Sequence, residues 1–356
     1  MTFDLISANV QLPMAAVCSQ CRQPYPDSGF PHRCPSCGGI YDLVPGEKGV
    51  DSPQDGIGLG EGNTPLLPLP WGSGGVFVKC EHNNPTGSYK DRGTARLVNA
   101  LLEQGVKTVV EDSSGNAGAS LAAYAGRAGM RARIYAPASA SGPKRAQIIR
   151  YGAELVSVEG PRMNAAHAVL EGVGAGCVYA SHAYQPHWLA GVAGMALEIA
   201  AEIEGVGTVV APVGQGGLLL GLYHGFRAAA ANGITAAMPA LVGVQALRCA
   251  PVWSRYTAQK PPGEWGSSIA EGICIAQPVR GEAVLQAVRK TGGEILAVEE
   301  EDIRAGVQAF ARGGLDVEPT SGVVFAALKL LTVPRRPVVL ILTGSGLKQS
   351  ADQPAE

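Results

Sequence analysis

Short runs of β-branched apolar residues alternate with amphipathic stretches from residue 106 almost to the end of the chain, and this alternation restricts it to one broad class of fold. Residues 108–110, 133–136 and 155–158 read as strands, and the stretches at 117–127 and 143–151 between them have helical spacing. The pattern returns as a strand at 208–211, a helix at 218–231, and strands at 240–244 and 338–342. Strands joined through helical crossovers run parallel, and parallel sheets bury both faces beneath helices. The expected architecture is therefore α/β, with parallel sheets flanked by helices. Such folds bind ligands at the carboxyl ends of their strands.

The chain has 356 residues, 46% hydrophobic and 16% charged, enough to bury a large core in two globular domains with an appendage. Acidic and basic residues nearly cancel, 30 against 28, and neither sign gathers into a block, so nucleic acid is not an expected partner. No apolar run is long enough to span a bilayer, so no membrane association is expected. The first residues lack the charged start and apolar run of a secretion signal, and a cytoplasmic protein is expected.

Of the eight cysteines, Cys80, Cys177, Cys249 and Cys274 lie in apolar segments, as expected of reduced, buried thiols. The other four form two knuckles, Cys18-x-x-Cys21 and Cys34-Pro-Ser-Cys37-Gly-Gly, with the spacing of a zinc ribbon. Paired disulfides are the alternative, and a reducing compartment favours zinc. Four thiolates leave no open coordination position, so the zinc is expected to be structural and to fold residues 1–45, which are too few to form their own core. The run at 45–62, rich in proline and glycine, reads as a connector.

Three glycine-rich stretches follow predicted strands. Asp112-Ser113-Ser114-Gly115-Asn116-Ala117-Gly118 opens a helix, so its amides can receive a carboxylate or simply cap the helix. Pro212-Val213-Gly214-Gln215-Gly216-Gly217-Leu218 also passes from strand to helix, and its glycines allow backbone to wrap a phosphate. Its spacing is neither that of a nucleotide P-loop nor Gly-x-Gly-x-x-Gly. Leu342-Thr343-Gly344-Ser345-Gly346-Leu347-Lys348 follows the last strand and by itself reads as a turn. A fourth segment, Asn84-Pro85-Thr86-Gly87-Ser88-Tyr89-Lys90-Asp91-Arg92-Gly93, holds one lysine in a turn of small polar residues before a helix.

Taken in chain order, with the lysine segment first, the four segments resemble the fold-type II pyridoxal-phosphate enzymes, most closely the threonine synthase branch. The likeness runs from Glu61-Gly62-Asn63-Thr64-Pro65-Leu66 to Lys348, with Tyr89 standing where phenylalanine is usual. The resemblance implies pyridoxal 5'-phosphate as cofactor and Lys90 as its Schiff-base lysine and catalytic base. It implies Asn116 as partner of the ring hydroxyl, Gly214, Gln215, Gly216, Gly217 and Leu218 as the phosphate cradle, and Thr343 facing the pyridine nitrogen. Thr86, Ser113 and Ser114 would line the pocket for the substrate's α-carboxylate. A small mobile domain at 85–189 would close on a larger one built from 46–84 and 190–356, and the protein would be a homodimer acting on a small amino acid. A neutral threonine at the ring nitrogen favours elimination and replacement over transamination.

Two stretches depart from the branch. Its Asn-Phe-Asp-Asp-Ala segment is represented by Gly160-Pro161-Arg162-Met163-Asn164-Ala165, and its Asn-Pro-x-Arg segment by Tyr184-Gln185-Pro186-His187-Trp188. A clamp for a substrate phosphate would thus need Arg162, His187 or Lys144 in place of the usual arginine. The reactions that follow from the resemblance are conversion of O-phosphohomoserine to threonine, or deamination or β-replacement of serine or threonine. The segment Glu318-Pro319-Thr320-Ser321-Gly322 resembles a loop near the cofactor and equally reads as a helix start.

Overall fold

The computed structural model describes residues 14–46, 56–69, 74–139, 142–160, 162–174, 176–260, 263–332 and 335–348. Strands β1 (Met14–Cys18) and β2 (Tyr41–Pro45) form an antiparallel hairpin that frames the four paired cysteines. Strands β3 (Leu66–Pro68) and β4 (Val76–Lys79) follow, and then helix α1 (Lys90–Glu103), whose first residue is the lysine singled out above. The next unit is β5 (Thr108–Glu111), α2 (Asn116–Arg127), β6 (Arg131–Pro137), α3 (Gly142–Arg150), β7 (Glu154–Val158), α4 (Arg162–Glu171) and β8 (Cys177–Tyr179). Helix α5 (Pro186–Glu202) leads to β9 (Thr208–Pro212), α6 (Gly217–Ala231), β10 (Ala240–Ala246) and α7 (Pro251–Thr257). The chain closes with α8 (Gly281–Thr291), β11 (Ile295–Val298), α9 (Glu300–Arg312), α10 (Pro319–Ala327) and β12 (Val338–Ile341).

Two sheets result. One is wholly parallel, in the order β7-β6-β5-β8; the other runs β11-β10-β9-β12-β4-β3 and is parallel except for its edge strand β3. β9, β10 and β12 are buried throughout, as expected of central parallel strands covered on both faces. Each sheet reverses its winding once, at β5/β8 in the first and at β9/β12 in the second. A crevice opens at such a reversal because successive crossovers leave in opposite directions. The loops at the carboxyl ends of these four strands are 112–116, 180–185, 213–216 and 342–345, which include the three glycine-rich stretches.

No helix among the described residues is long and apolar enough to cross a membrane. Of the predicted connector at 45–62, Pro45 closes β2, residues 47–55 lie outside the described residues, and residues 46 and 56–62 have neither helix nor strand.

Candidate active site

Lys90 is placed by its turn. Gly87 has φ +82°, and the turn is bridged to the last loop: the Tyr89 amide donates to the Thr343 carbonyl at 3.0 Å and the Ser345 amide to the Gly87 carbonyl at 3.0 Å. Asp91 tightens it from below, accepting from the Thr86 amide at 2.7 Å and the Thr86 hydroxyl at 2.6 Å. Arg92 anchors the helix behind it in a buried fork, donating to both oxygens of Glu81 (2.6 and 2.8 Å) and both oxygens of Glu198 (2.6 and 2.7 Å). Asp91 and Arg92 therefore orient the lysine turn.

The Lys90 amine reaches into a cavity of about 250 Å³ between the two reversal points, 4.7 Å from the Tyr89 ring and 5.0 Å from the Trp188 ring. Burial is the main reason its pKa falls from 10.5 to about 7, and the Arg162 charge pushes the same way while Glu111 and Glu318 oppose. An amine with a substantial neutral fraction near pH 7 is what nucleophilic or general-base work requires of a lysine.

Ser113, Ser114, Gly115 and Asn116 line the same cavity, and α2 starts there. Gly118 belongs to this turn for a steric reason: a Cβ at that position would stand 1.9 Å from the Ser113 carbonyl oxygen. On the opposite side Gly214, Gln215, Gly216, Gly217 and Leu218 line the wall and α6 starts. Gly216 has φ +97°, closed to ordinary L-residues, and a Cβ there would meet the Val284 side chain at 2.7 Å. Two helices thus aim free amides and positive dipole ends into one space, an arrangement suited to two separate anionic groups. Thr343 completes the floor; its hydroxyl donates to Glu318 Oε1 at 2.9 Å.

Of the residues predicted to bind cofactor or substrate, all but Thr86 line the cavity; its hydroxyl and amide are engaged by Asp91. Asn116 lines it with both amide atoms engaged, Nδ2 donating to Glu318 Oε2 at 2.8 Å and Oδ1 accepting from Lys348 Nζ at 3.2 Å. Of the cations considered for a substrate phosphate, Arg162 lines the cavity. His187 does not: it is packed against Tyr25 and Phe30, and burial holds its pKa down at about 4. The Lys144 side chain lies outside the described residues.

Sequence reasoning missed His182 and Glu111. His182 lines the cavity beside Trp188, and its Nδ1 lies 3.2 Å from Glu111 Oε1 while its backbone amide donates to Glu111 Oε2 at 3.1 Å. Burial, with Lys90 adding to it, pushes the His182 pKa well below its ordinary value, so the ring is neutral. Burial raises the Glu111 carboxyl. Glu111 ends β5 and His182 lies in the loop that follows β8, at the winding reversal of this sheet, which was the signal available. Glu318 is both things its segment suggested: it immediately precedes α10 and it lines the cavity.

These residues fit the implied cofactor. A phosphate-sized anion finds a glycine cradle that Cβ atoms would fill, a nucleophilic amine shares the cavity, and Thr343 and Asn116 supply hydroxyl and amide groups between them.

In the N-terminal hairpin Cys18 Sγ lies 3.5 Å from Cys37 Sγ, and Cys21 Sγ lies 3.6 Å from Cys34 Sγ. All four sulfurs fall within 4.8 Å of one another. These separations far exceed a sulfur–sulfur bond of ~2.05 Å. They approach the ~3.8 Å edge of a tetrahedron with metal–sulfur bonds of about 2.3 Å.

The family described as "Pyridoxal-phosphate dependent enzyme" matches residues 57–344. The chain is 34% identical to the threonine synthase of Methanosarcina acetivorans over 333 residues, covering 88% of this chain and 80% of that protein. It is 33% identical to the threonine synthase of Methanocaldococcus jannaschii, covering 82% and 76%. Among solved structures, a threonine deaminase from T.th. superposes with a TM-score of 0.65 at 26% identity, covering 79% of this chain and 92% of that one. A fungal L-serine ammonia-lyase from Rhizomucor miehei, at 22% identity, shares the fold with a TM-score of 0.69, covering 79% and 93%. With its lysine, its glycine cradle and its paired helix starts meeting at one crevice, the chain belongs to the pyridoxal-phosphate dependent enzyme family, as a fold-type II lyase similar to threonine synthase.

Proposed function

We propose that the protein is a threonine synthase, converting O-phosphohomoserine and water to threonine and phosphate. The observation that carries this reading is the similarity to proteins of that name over most of both chains, joined to a cavity in which all four expected segments meet. In this reading Lys90, Asn116, Thr343 and the run Gly214, Gln215, Gly216, Gly217 and Leu218 hold pyridoxal 5'-phosphate. Ser113 and Ser114 receive the substrate's α-carboxylate at the start of α2, and Thr86 acts only through Asp91.

When bound, the cofactor supplies an electron sink for the pair released at the substrate's Cα. Lys90, about half neutral near pH 7, is the base placed to take a proton from the substrate's Cα and then from Cβ as phosphate leaves Cγ, and to return a proton to Cγ before water adds at Cβ. Thr343, donating its hydroxyl to Glu318, presents no acid to the ring nitrogen, which fits elimination and replacement better than transamination. Arg162 is the side chain placed to meet a leaving phosphate, by the fork geometry of its guanidinium. Closure of residues 85–189 over 46–84 and 190–356 would exclude water until it is needed at Cβ.

One observation favours a second reading, a serine or threonine ammonia-lyase. Trp188 occupies the stretch where the synthase branch has its arginine, and His187 faces away, leaving a thinner phosphate clamp than that branch carries. Holoenzyme incubated separately with O-phosphohomoserine, serine and threonine, with phosphate and ammonia assayed in parallel, distinguishes the two. Phosphate released from O-phosphohomoserine alone supports the synthase; ammonia from serine or threonine without phosphate turnover replaces it with the lyase.

The remaining parts of the proposal are structural zinc at Cys18, Cys21, Cys34 and Cys37, a homodimer, and a cytoplasmic location. The tetrahedral sulfur spacing supports the zinc.

A further inference from the structure

A second cavity, of about 560 Å³, lies between the cysteine hairpin and the α6 and α8 side of the body. Besides the buried Arg280, four cations line it, Arg22 and Arg33 from the hairpin segment, Arg227 from α6 and Lys290 from α8. The two carboxylates in its lining are already engaged. Asp42 accepts from His224 Nε2 at 2.9 Å with Arg280 Nη1 at 3.9 Å, and Glu282 pairs with Arg255. The four cations form no ion pair among the described residues. Arg33 donates only to neutral oxygens, the Gly38 carbonyl at 3.0 Å and the Tyr184 hydroxyl at 3.3 Å, and Arg227 lies over the Tyr223 ring at 5.4 Å.

The floor of this cleft is also the back of the phosphate loop. The Val279 amide donates to Gln215 Oε1 at 2.9 Å and the Arg280 amide to the Gln215 carbonyl at 3.1 Å, while Gln215 itself lines the Lys90 cavity. The buried Arg280 side chain reaches across to three carbonyls, those of Tyr41 in the hairpin and of Ala183 and Tyr184 before α5, at 2.9 to 3.0 Å. The hairpin and the segment that leads into α8 are thus hydrogen-bonded, through Arg280 and Val279, to the phosphate loop.

We infer that this cleft is a regulatory site for a small polyphosphorylated anion, bound by Arg22, Arg33, Arg227 and Lys290 and coupled to the phosphate loop through Val279 and Arg280. Four uncompensated positive charges on two facing walls create a focused field that a multivalent anion relieves. Three of the four are guanidinium groups, whose fork matches phosphate oxygens in pairs. Charges spread over both walls suit the extended charge of a di- or triphosphate better than a single monoanion. The site is separate from the Lys90 cavity and stands whichever amino acid that cavity converts.

The probe is sodium tripolyphosphate, titrated calorimetrically into holoenzyme, in which the cofactor already fills the loop cradle. Saturable binding is expected, equally strong in Lys90→Ala protein reconstituted with cofactor. Arg227→Ala/Lys290→Ala and Arg22→Ala/Arg33→Ala should each weaken it roughly tenfold or more, from the loss of two charge-assisted contacts. Arg227→Lys/Lys290→Arg, which keeps the charges, should bind far better than the alanine pair. Absence of binding, binding unchanged in either alanine pair, or an equal loss in the remote Lys107→Ala/Arg131→Ala pair would each overturn the site, the last by reducing it to general charge attraction.

Discussion

Asn116 and Glu318, which lie 202 positions apart in the chain, are joined by a 2.8 Å hydrogen bond across the candidate active site. The other Glu318 oxygen accepts from the Thr343 hydroxyl at 2.9 Å, so one carboxylate organises the two polar groups expected to face the cofactor ring. Removing it leaves the buried Thr343 hydroxyl and the part-buried Asn116 amide without this acceptor, at up to about 1–3 kcal/mol each. We predict that Glu318→Ala weakens cofactor binding by at least roughly tenfold, the equivalent of ~1.4 kcal/mol, while Glu318→Gln, which keeps one acceptor, loses less. Titration of apoprotein with pyridoxal phosphate, followed by absorbance, reads this directly. Unchanged affinity in Glu318→Ala would leave the residue as a helix start and nothing more.

Lys90 carries the prediction with the clearest sign. Burial places its pKa near 7 against an ordinary 10.5, so the amine becomes available as pH rises through about 7. The rate of cofactor capture by apoprotein should rise across that interval and level off above it. The same shift penalises the charged form only in the folded state. The apoprotein should therefore lose stability as pH falls from 10.5 toward 7 and lose no more from this group below that. Lys90→Ala should abolish turnover, remove the pH dependence of capture and leave the circular dichroism spectrum intact. Turnover surviving in this variant would refute the assigned role.

Arg92 binds two carboxylates that come from different parts of the chain, Glu81 before the lysine turn and Glu198 on α5. Glu81 is fully buried and Arg92 is 6% exposed, so deletion of the cation strands charge in a poorly solvated place. We expect Arg92→Ala to destabilise the fold by about 3–5 kcal/mol, and Arg92→Lys to recover only part of this because an ammonium cannot fork to both partners. Chemical denaturation gives the values. A loss below about 1 kcal/mol would mean that the pair behaves like a surface ion pair.

The order of strands and helices was legible because buried parallel strands read as apolar runs and their crossovers as amphipathic ones. Boundaries moved where pairing extended a strand: β6 is hydrogen-bonded on both sides and spans Arg131–Pro137, beyond the expected 133–136. Strands β3 and β4 gave no periodic signal, being three and four residues long. The glycine loops and Lys90 were legible because each backbone constraint is local. His182 was not, since what puts it in the cavity is the reversal of winding at β5/β8, a property of the whole topology that also brings Glu111 against it. His187 shows the converse: the neighbours it packs against, Tyr25 and Phe30, lie more than 150 positions away in the chain.

The cysteine hairpin supplies the last prediction. Its two strands are five residues each, and the cluster around its sulfurs is small, Cys18, Cys34 and Tyr41 with Tyr25 against them, while Met14, Ala16, Phe30 and Leu43 pack into the core of the body. So small a core gives little folding energy by itself, and four sulfurs within 4.8 Å of one another would gain from a shared cation. The hairpin is nevertheless tied to the body, since the Tyr25 hydroxyl donates to Gln185 at 2.9 Å and Arg280 holds the Tyr41 carbonyl. Cys34→Ser/Cys37→Ser should therefore lose one equivalent of zinc by elemental analysis and lower the melting temperature, while the cofactor's absorbance persists because Lys90 and the loop lie in a separate cavity. Chelation of the unaltered protein should move the melting temperature in the same direction. Full metal content in the double variant would rule out a four-sulfur zinc site, and loss of the cofactor signal together with the metal would make the hairpin part of the catalytic body.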